Sequence, residues 1–181
     1  MLDTAKLQIR RKCVDDNLNT FTCGDEDLDE FISFDAQNYD KERLATTFIL
    51  RYDSKIVAYF SLANDRLSYD DFGDTTSFNR FRKKHFVNSK RIKGYPAVKI
   101  CRLGVNESYK DKRIGTFIID FIKGVFFNVG YSACRFLTVD ANCKAVGFYQ
   151  KNGFNLVKPS IQTDTPTTPL YFDLADFERI K

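Results

Sequence analysis

Residues 95–129 read YPAVKICRLGVNESYKDKRIGTFIIDFIKGVFFNV, and three local patterns follow one another in that stretch. Tyr95 to Val105 is dense in apolar and β-branched residues and predicts a strand. Asn106 to Arg113 is polar and brings Lys110, Lys112 and Arg113 together. From there Ile114, Phe117, Ile118, Phe121, Ile122, Val125, Phe126 and Val129 recur every three or four positions, the period of an amphipathic helix. A basic loop feeding a helix N-terminus is a place where an anion can sit, because the first-turn N–H groups have no intrahelical acceptor and carry partial positive charge. Gly115 would let a phosphate approach the backbone closely. Neither G-x-x-x-x-G-K-[ST] nor G-x-G-x-x-G occurs, which excludes a P-loop and a Rossmann fingerprint. On these residues alone an anion site and a solvated basic loop both stand.

Downstream, Arg135 to Val139 predicts a strand and Asn142 to Lys151 a short helix stopped at Gly153. Phe154 to Val157 and Leu170 to Leu174 predict two last strands around a loop bearing Pro159, Pro166 and Pro169. Upstream, residues 6–13 predict a first strand, and the ten acids within 15–42 surround a helix with Leu28, Phe31 and Ile32 on one face. Thr46 to Tyr52 and Lys55 to Ala63 predict a hairpin turning at Asp53-Ser54. Residues 64–94 are polar and predict a long loop. The order of elements gives a mixed α/β (α+β) layout in a single domain over 1–181, with a basic insertion around 70–94.

Composition narrows the function classes. The chain has 181 residues, 43% hydrophobic and 29% charged, with a net charge of +4, as expected of a globular protein. No apolar run exceeds Ile56 to Phe60, so no membrane span is expected, and the N-terminus lacks a signal-peptide pattern, which predicts a cytoplasmic location. Cys13, Cys23, Cys101, Cys134 and Cys143 never form C-x-x-C and are expected to be reduced. No metal site is expected. His85 is the only histidine and, among lysines and arginines, is expected to be exposed and structurally neutral.

The segments RLGV-NES-YKDKRIGTFII and VDA-N-CKAVGFYQKNGF together resemble the GNAT family of acetyl-CoA-dependent N-acetyltransferases. That family's phosphate loop reads Q/R-x-x-G-x-G/A; here Lys110, Arg113 and Gly115 occupy the defined positions, with Lys in place of Gln/Arg and Arg113 where glycine is usual. The resemblance implies a mostly antiparallel central sheet flanked by helices and splayed between the strand near 97–105 and the strand near 135–139. It implies that the backbone of Leu103, Gly104 and Val105 pairs with the pantetheine arm of acetyl-CoA, while the amides of Lys112, Arg113, Ile114, Gly115 and Thr116 hold its pyrophosphate. Arg113 then caps the phosphates, or crowds them if its φ must be positive. Asn142 is implied to hydrogen-bond the cofactor arm beside Phe148, and Tyr149 to protonate the departing thiolate. Packing of Phe148-Tyr149 onto the sheet explains the same two residues.

Phe21-Thr22-Cys23-Gly24 followed by Leu28-Asp29-Glu30-Phe31 is similar to the F-x-C-G…L-D-x-[FY] opening of a GNAT subgroup that contains toxins acetylating aminoacyl-tRNA, although a turn and a helix start account for it equally. The subgroup implies tRNA and an antitoxin as partners, while a homodimer is one assembly open to the chain, with no coiled-coil seam that argues for a particular dimer. The acceptor must attack as a neutral amine. A lysine ε-amine is only about 0.1% neutral near pH 7.4, whereas an α-amine is roughly a quarter neutral. Tyr95 to Val105 contains no carboxylate, and Glu107 and Asp140 merely flank the region. The expected acceptor is therefore an amine of low pKa, such as the α-amine of an aminoacyl-tRNA.

The net charge is unevenly spread. Residues 80–93, RFRKKHFVNSKRIK, hold Arg80, Arg82, Lys83, Lys84, Lys90, Arg91 and Lys93 with no acid, so the rest of the chain is mildly acidic. With Phe81 and Phe86 interleaved, the run reads as a solvated basic face or as an RNA contact in which the rings stack on bases or pack the loop down. The competing function is a non-catalytic GNAT-like module that docks RNA or an acidic partner through 80–93.

Overall fold

The computed structural model describes residues 4–18, 20–86, 92–128, 133–158 and 165–179. Seven strands run in the order β1-β2-β3-β4-β5-β7-β6. They are β1 (Leu7–Arg11), β2 (Thr46–Tyr52), β3 (Lys55–Ser68), β4 (Gly94–Val105), β5 (Phe136–Asn142), β6 (Asn155–Leu156) and β7 (Thr167–Asp173). The helices are α1 (Glu26–Glu30), α2 (Ala36–Lys41), α3 (Tyr69–Phe72), α4 (Thr75–His85), α5 (Ile114–Asn128) and α6 (Val146–Lys151). β1–β2, β2–β3, β5–β7 and β6–β7 are antiparallel, and β4–β5 is parallel. The β4–β5 register runs from Ala97↔Phe136 to Lys99↔Thr138, although β4 continues to Val105, as a splayed sheet requires. The chain divides into two compact units, Met1–Ala63 with Ile100–Ile122 and Asn64–Lys99 with Lys123–Lys181. No helix of the described residues is long and apolar enough to cross a membrane.

In the first unit the hairpin turns where predicted. Asp53 and Ser54 both have positive φ, 46° and 67°, the handedness that matches the twist of the flanking strands. Asp25 caps α1 by accepting from the Leu28 N–H, and a π-helical turn at Phe31–Asp35 carries the chain into α2. The apolar face of this segment, Phe31, Ile32 and Ala36, packs with Ile49 and Tyr59. The Tyr59 hydroxyl donates to the Leu28 carbonyl at 2.6 Å. In α5 the residues Ile114, Ile118, Ile119 and Ile122 are buried; Ile119 takes an inward place and Phe121 is left partly exposed.

The second unit corrects the expected loop. β3 runs on to Ser68, a capping box formed by Ser68 and Asp71 starts α3, and Asp74 caps α4. The reason lies beneath the charge: Phe78, Phe81 and His85 recur at three and four residues as the helix enters the basic run. Phe72, Phe78 and Phe81 are buried with Tyr95, Phe136 and Tyr171.

His85 is likewise not exposed. Its ring is buried, with Nδ1 2.7 Å from the Asp173 carboxylate and Nε2 3.4 Å from the Tyr171 hydroxyl. Arg135 meets the same carboxylate through Nε at 2.8 Å and Nη2 at 2.9 Å. Burial by itself would raise the Asp173 pKa, but hydrogen bonds from His85 and Arg135 outweigh it and hold the carboxyl below its ordinary value. A depressed carboxyl contributes stability that is present above its unfolded pKa of about 3.9 and is lost as pH falls through the folded value. The urea midpoint of the native chain is therefore expected to fall below about pH 4. The Asp173→Asn variant should be less stable at pH 7 and lose less on acidification; parallel acid slopes would show that Asp173 is not the group responsible.

Candidate active site

The loop from β4 to α5 is built from backbone ties within the first unit. The Asn106 N–H donates to the Val57 carbonyl at 2.9 Å, the Asn106 side chain donates to the Thr20 carbonyl at 3.2 Å, and the Glu107 N–H donates to the Thr22 carbonyl at 2.9 Å. A 3-10 turn at Glu107–Tyr109 follows, and then Asp111 and Arg113 both take left-handed backbone, φ 61° and 60°. The Arg113 carbonyl accepts from Phe117 N–H at 3.0 Å, so the first-turn amides of Ile114, Gly115 and Thr116 lie ahead of that bond and point out of the helix start.

The side chains of the loop divide into two kinds. Lys110 pairs with Glu107 at 3.3 Å; Lys112 donates to the Ser108 carbonyl at 3.0 Å and lies 4.4 Å from the Tyr109 ring centroid. Both lysines are thus folded back onto the loop. Arg113 is exposed at the helix start. A helix N-terminus with outward amides and an adjacent guanidinium is a donor set that fits a pyrophosphate.

At the end of β4, Leu103 and Val105 are half-buried and Gly104 is buried. A Cβ on Gly104 would stand 2.7 Å from Tyr59 Cε1 and 3.4 Å from Cys23 Sγ, so only glycine fits there. The Cys23 thiol is pushed up to about 12, chiefly by burial, and is no nucleophile. The F-T-C-G…L-D-E-F segment is explained by the same packing. Asp29 accepts from the Thr22 hydroxyl at 2.7 Å and from the Cys23 N–H at 2.8 Å, and Phe21 and Phe31 lie 5.6 and 6.4 Å from the Tyr59 ring.

The remaining expected residues lie in the second unit. Asn142 closes β5, its side-chain oxygen accepting from Ala145 N–H at 2.9 Å, so its Nδ2 amide is the donor it would offer a cofactor. Tyr149 of α6 is buried, with ring centroids of Phe148 and Phe154 at 5.1 and 5.3 Å. Burial pushes its phenol above the ordinary value, which keeps the proton on the oxygen. The packing and proton-donor readings of Tyr149 therefore coexist. Of the two flanking carboxylates, Glu107 is held by Lys110, and Asp140 pairs with Lys99.

On α4, Arg80, Lys83 and Lys84 are exposed, whereas Arg82 is half-buried with an Nε that has no hydrogen-bond partner. Lys93 is exposed beside β4. Lys90 and Arg91 lie outside the described residues. Phe86 stacks on Tyr95 at 4.3 Å, so both phenylalanines of the run pack down. Sequence reading passed over Arg102, whose guanidinium covers Phe31 and faces Asp27. Its position two residues before Gly104 was the available signal, since alternate strand residues share a face.

A central, mostly antiparallel sheet flanked by helices, with helix-start amides after β4 that fit a pyrophosphate, is the architecture of an acyl-CoA-dependent acyltransferase. The profile of the Acetyltransferase (GNAT) family matches residues 11–154. The chain belongs to that family, and it is an acetyl-CoA-dependent N-acetyltransferase. No curated protein matches it. Among solved structures it is similar to AtaT complexed with acetyl-methionyl-tRNAfMet, at 20% identity and TM-score 0.75 over 96% of this chain and 98% of that one. It is similar to AtaTR bound with acetyl-CoA, at 20% identity and TM-score 0.75 over 97% and 98%. A tyrosine-to-phenylalanine mutant of KacT matches at 19% identity and TM-score 0.76 over 97% and 99%. At these identities the likeness is one of fold.

Two substitutions test the loop. Arg113→Gly should raise unfolding free energy by about 1 kcal/mol, because a side chain in left-handed backbone costs about that much. Gly104→Ala should lower it by about 1–3 kcal/mol through the contact with Tyr59. Urea denaturation measures both, and a destabilising Arg113→Gly would show that the arginine side chain braces the loop.

Proposed function

We propose that the chain transfers the acetyl group of acetyl-CoA to the α-amine of an aminoacyl-tRNA. The observation that carries this reading is α4, where Arg80, Lys83 and Lys84 are exposed on a helix whose other face is anchored by buried Phe78 and Phe81. A rigid row of cations tracks a phosphate backbone without sequence preference. The acceptor's chemistry agrees: an α-amine is partly neutral at physiological pH and makes small demands on a general base. AtaT, similar in fold, is complexed with acetyl-methionyl-tRNAfMet in one structure and bound to the C-terminus of the antitoxin AtaR in another. By the same argument an antitoxin is a fitting partner for this chain.

Acetyl-CoA supplies the acetyl group and a thiolate leaving group. The amine nitrogen would form a bond to the acetyl carbon as the carbon–sulfur bond breaks; the proton the nitrogen sheds would pass to water, and water would return one to Tyr149 after it has protonated the sulfur. The first-turn amides of α5 with Arg113 would hold the pyrophosphate, the backbone of Leu103–Val105 would pair with the pantetheine arm, and Asn142 would donate to that arm. The Tyr149 O–H would donate to the departing sulfur, stabilising the thiolate as it forms and protonating it.

Incubating the chain with acetyl-CoA and a pool of charged tRNAs, free amino acids and polyamines tests the acceptor. Acetylated aminoacyl-tRNA is the expected product; turnover confined to polyamines or free amino acids would refute it. Tyr149→Phe should lower kcat about 100-fold or more while leaving the acetyl-CoA Kd nearly unchanged. Charge reversal at Lys83 and Lys84 should raise KM for charged tRNA and reduce its salt dependence.

A further inference from the structure

Arg102 stands in β4 immediately before the segment assigned to the cofactor arm, and none of the roles above uses it. Strand alternation puts its side chain on the face of Gly104, the face that meets Tyr59 and Cys23. The guanidinium carbon lies over the buried Phe31 ring, 5.1 Å from its centroid, a cation–π distance. Its hydrogen bonding is nevertheless incomplete. Nη1 donates to the adjacent Cys101 carbonyl at 3.1 Å, Nη2 is 3.6 Å from Asp27 Oδ2, and the buried Nε has no hydrogen-bond partner.

The magnitudes favour exchange over permanent pairing. The Asp27 side chain is 76% exposed, and ion pairs with such partners are weak because water competes for both charges. A guanidinium resting over an aromatic ring and weakly paired to an exposed carboxylate is ready to take an oxyanion in place of that carboxylate. Its planar fork suits a phosphate better than an ammonium would.

We infer that Arg102 determines acceptor specificity by binding a phosphate oxygen of the single-stranded 3′ end of the acceptor RNA, displacing Asp27. The inference rests on the aminoacyl-tRNA reading and adds a residue that recognises the end of the RNA, apart from the cations of α4. The same positive charge disfavours a protonated amine beside it, so polyamines are poor acceptors.

The test is calorimetric titration of a 5′-phosphorylated CCA trinucleotide into the full chain, with acetyl-CoA binding measured in parallel as the check on folding. The native chain should bind the trinucleotide, and Arg102→Gln should weaken it about tenfold or more with the acetyl-CoA Kd unchanged. Arg102→Lys should fall between the two, since a point charge replaces the fork. Asp27→Asn should bind about two- to fivefold more tightly, because the competing carboxylate is gone. An Arg102–Asp27 pair that merely braces α1 predicts the reverse, so Asp27→Asn binding no more tightly than native overturns the inference. So does a native chain that fails to bind, or Arg102→Gln binding like native. If Arg102→Gln does not fold, Arg102→Lys and Asp27→Asn decide. Acetylation of charged tRNA without Arg102-dependent trinucleotide binding removes this inference alone, whereas Arg102-dependent binding without such acetylation removes the acceptor reading alone.

Discussion

Tyr59 has no exposed surface, and its phenol donates to the Leu28 carbonyl at 2.6 Å while its ring leaves no room for a Cβ on Gly104. Those contacts join three stretches far apart in the chain: the hairpin strand β3, the acidic helix α1 and the end of β4. The loop after β4 is hung from the same assembly, because Glu107 bonds to Thr22 and Asn106 to Thr20 and Val57. The start of α5, proposed to hold the pyrophosphate, is therefore positioned by core packing and backbone ties. Asp29 reinforces this from beneath. Burial pushes its carboxyl up, but hydrogen bonds from Thr22 and Cys23 outweigh that and bring it below the ordinary value.

In the second unit charge and aromatic packing occupy two faces of one helix. Phe78 and Phe81 go inward, Arg80, Lys83 and Lys84 go outward, and His85 closes the inner face on the Asp173 carboxylate that Arg135 also holds. A buried carboxylate with two such partners resists acid until it is protonated, which makes the seat of α4 dependent on Asp173. A rigid seat matters for phosphate binding because cations already in place lose less entropy when the partner arrives.

Much of the fold was legible because its signals are local. The strand at Tyr95–Val105, the amphipathic period of α5, the Asp53-Ser54 turn and the Gly153 stop each declare themselves within a few residues. The stretch 64–94 was misread because seven cations between 80 and 93 mask the three-and-four spacing of Phe78, Phe81 and His85. The partner that buries them, the Phe136 and Tyr171 surface, lies about fifty to ninety residues away. His85 was misjudged for the same reason: its neighbours in sequence are cations, but its neighbour in space is Asp173.

Outside 64–94 the sequence alone determined the order of elements, and the family resemblance carried by residues 110–116, Asn142 and Tyr149 named the candidates for the cofactor site. Only the tertiary structure decided that Arg113 adopts a positive φ, that Lys110 and Lys112 turn back onto their own loop, and that Phe86 stacks on Tyr95. Arg102 likewise became visible only once α1 was laid beside β4. Arg102 meets Phe31 and Asp27 across about seventy residues, and the shape of the β4–α5 loop depends on its ties to Val57, Thr20 and Thr22; burial and pairing of this kind, unlike helical period or turn preference, have no local signature.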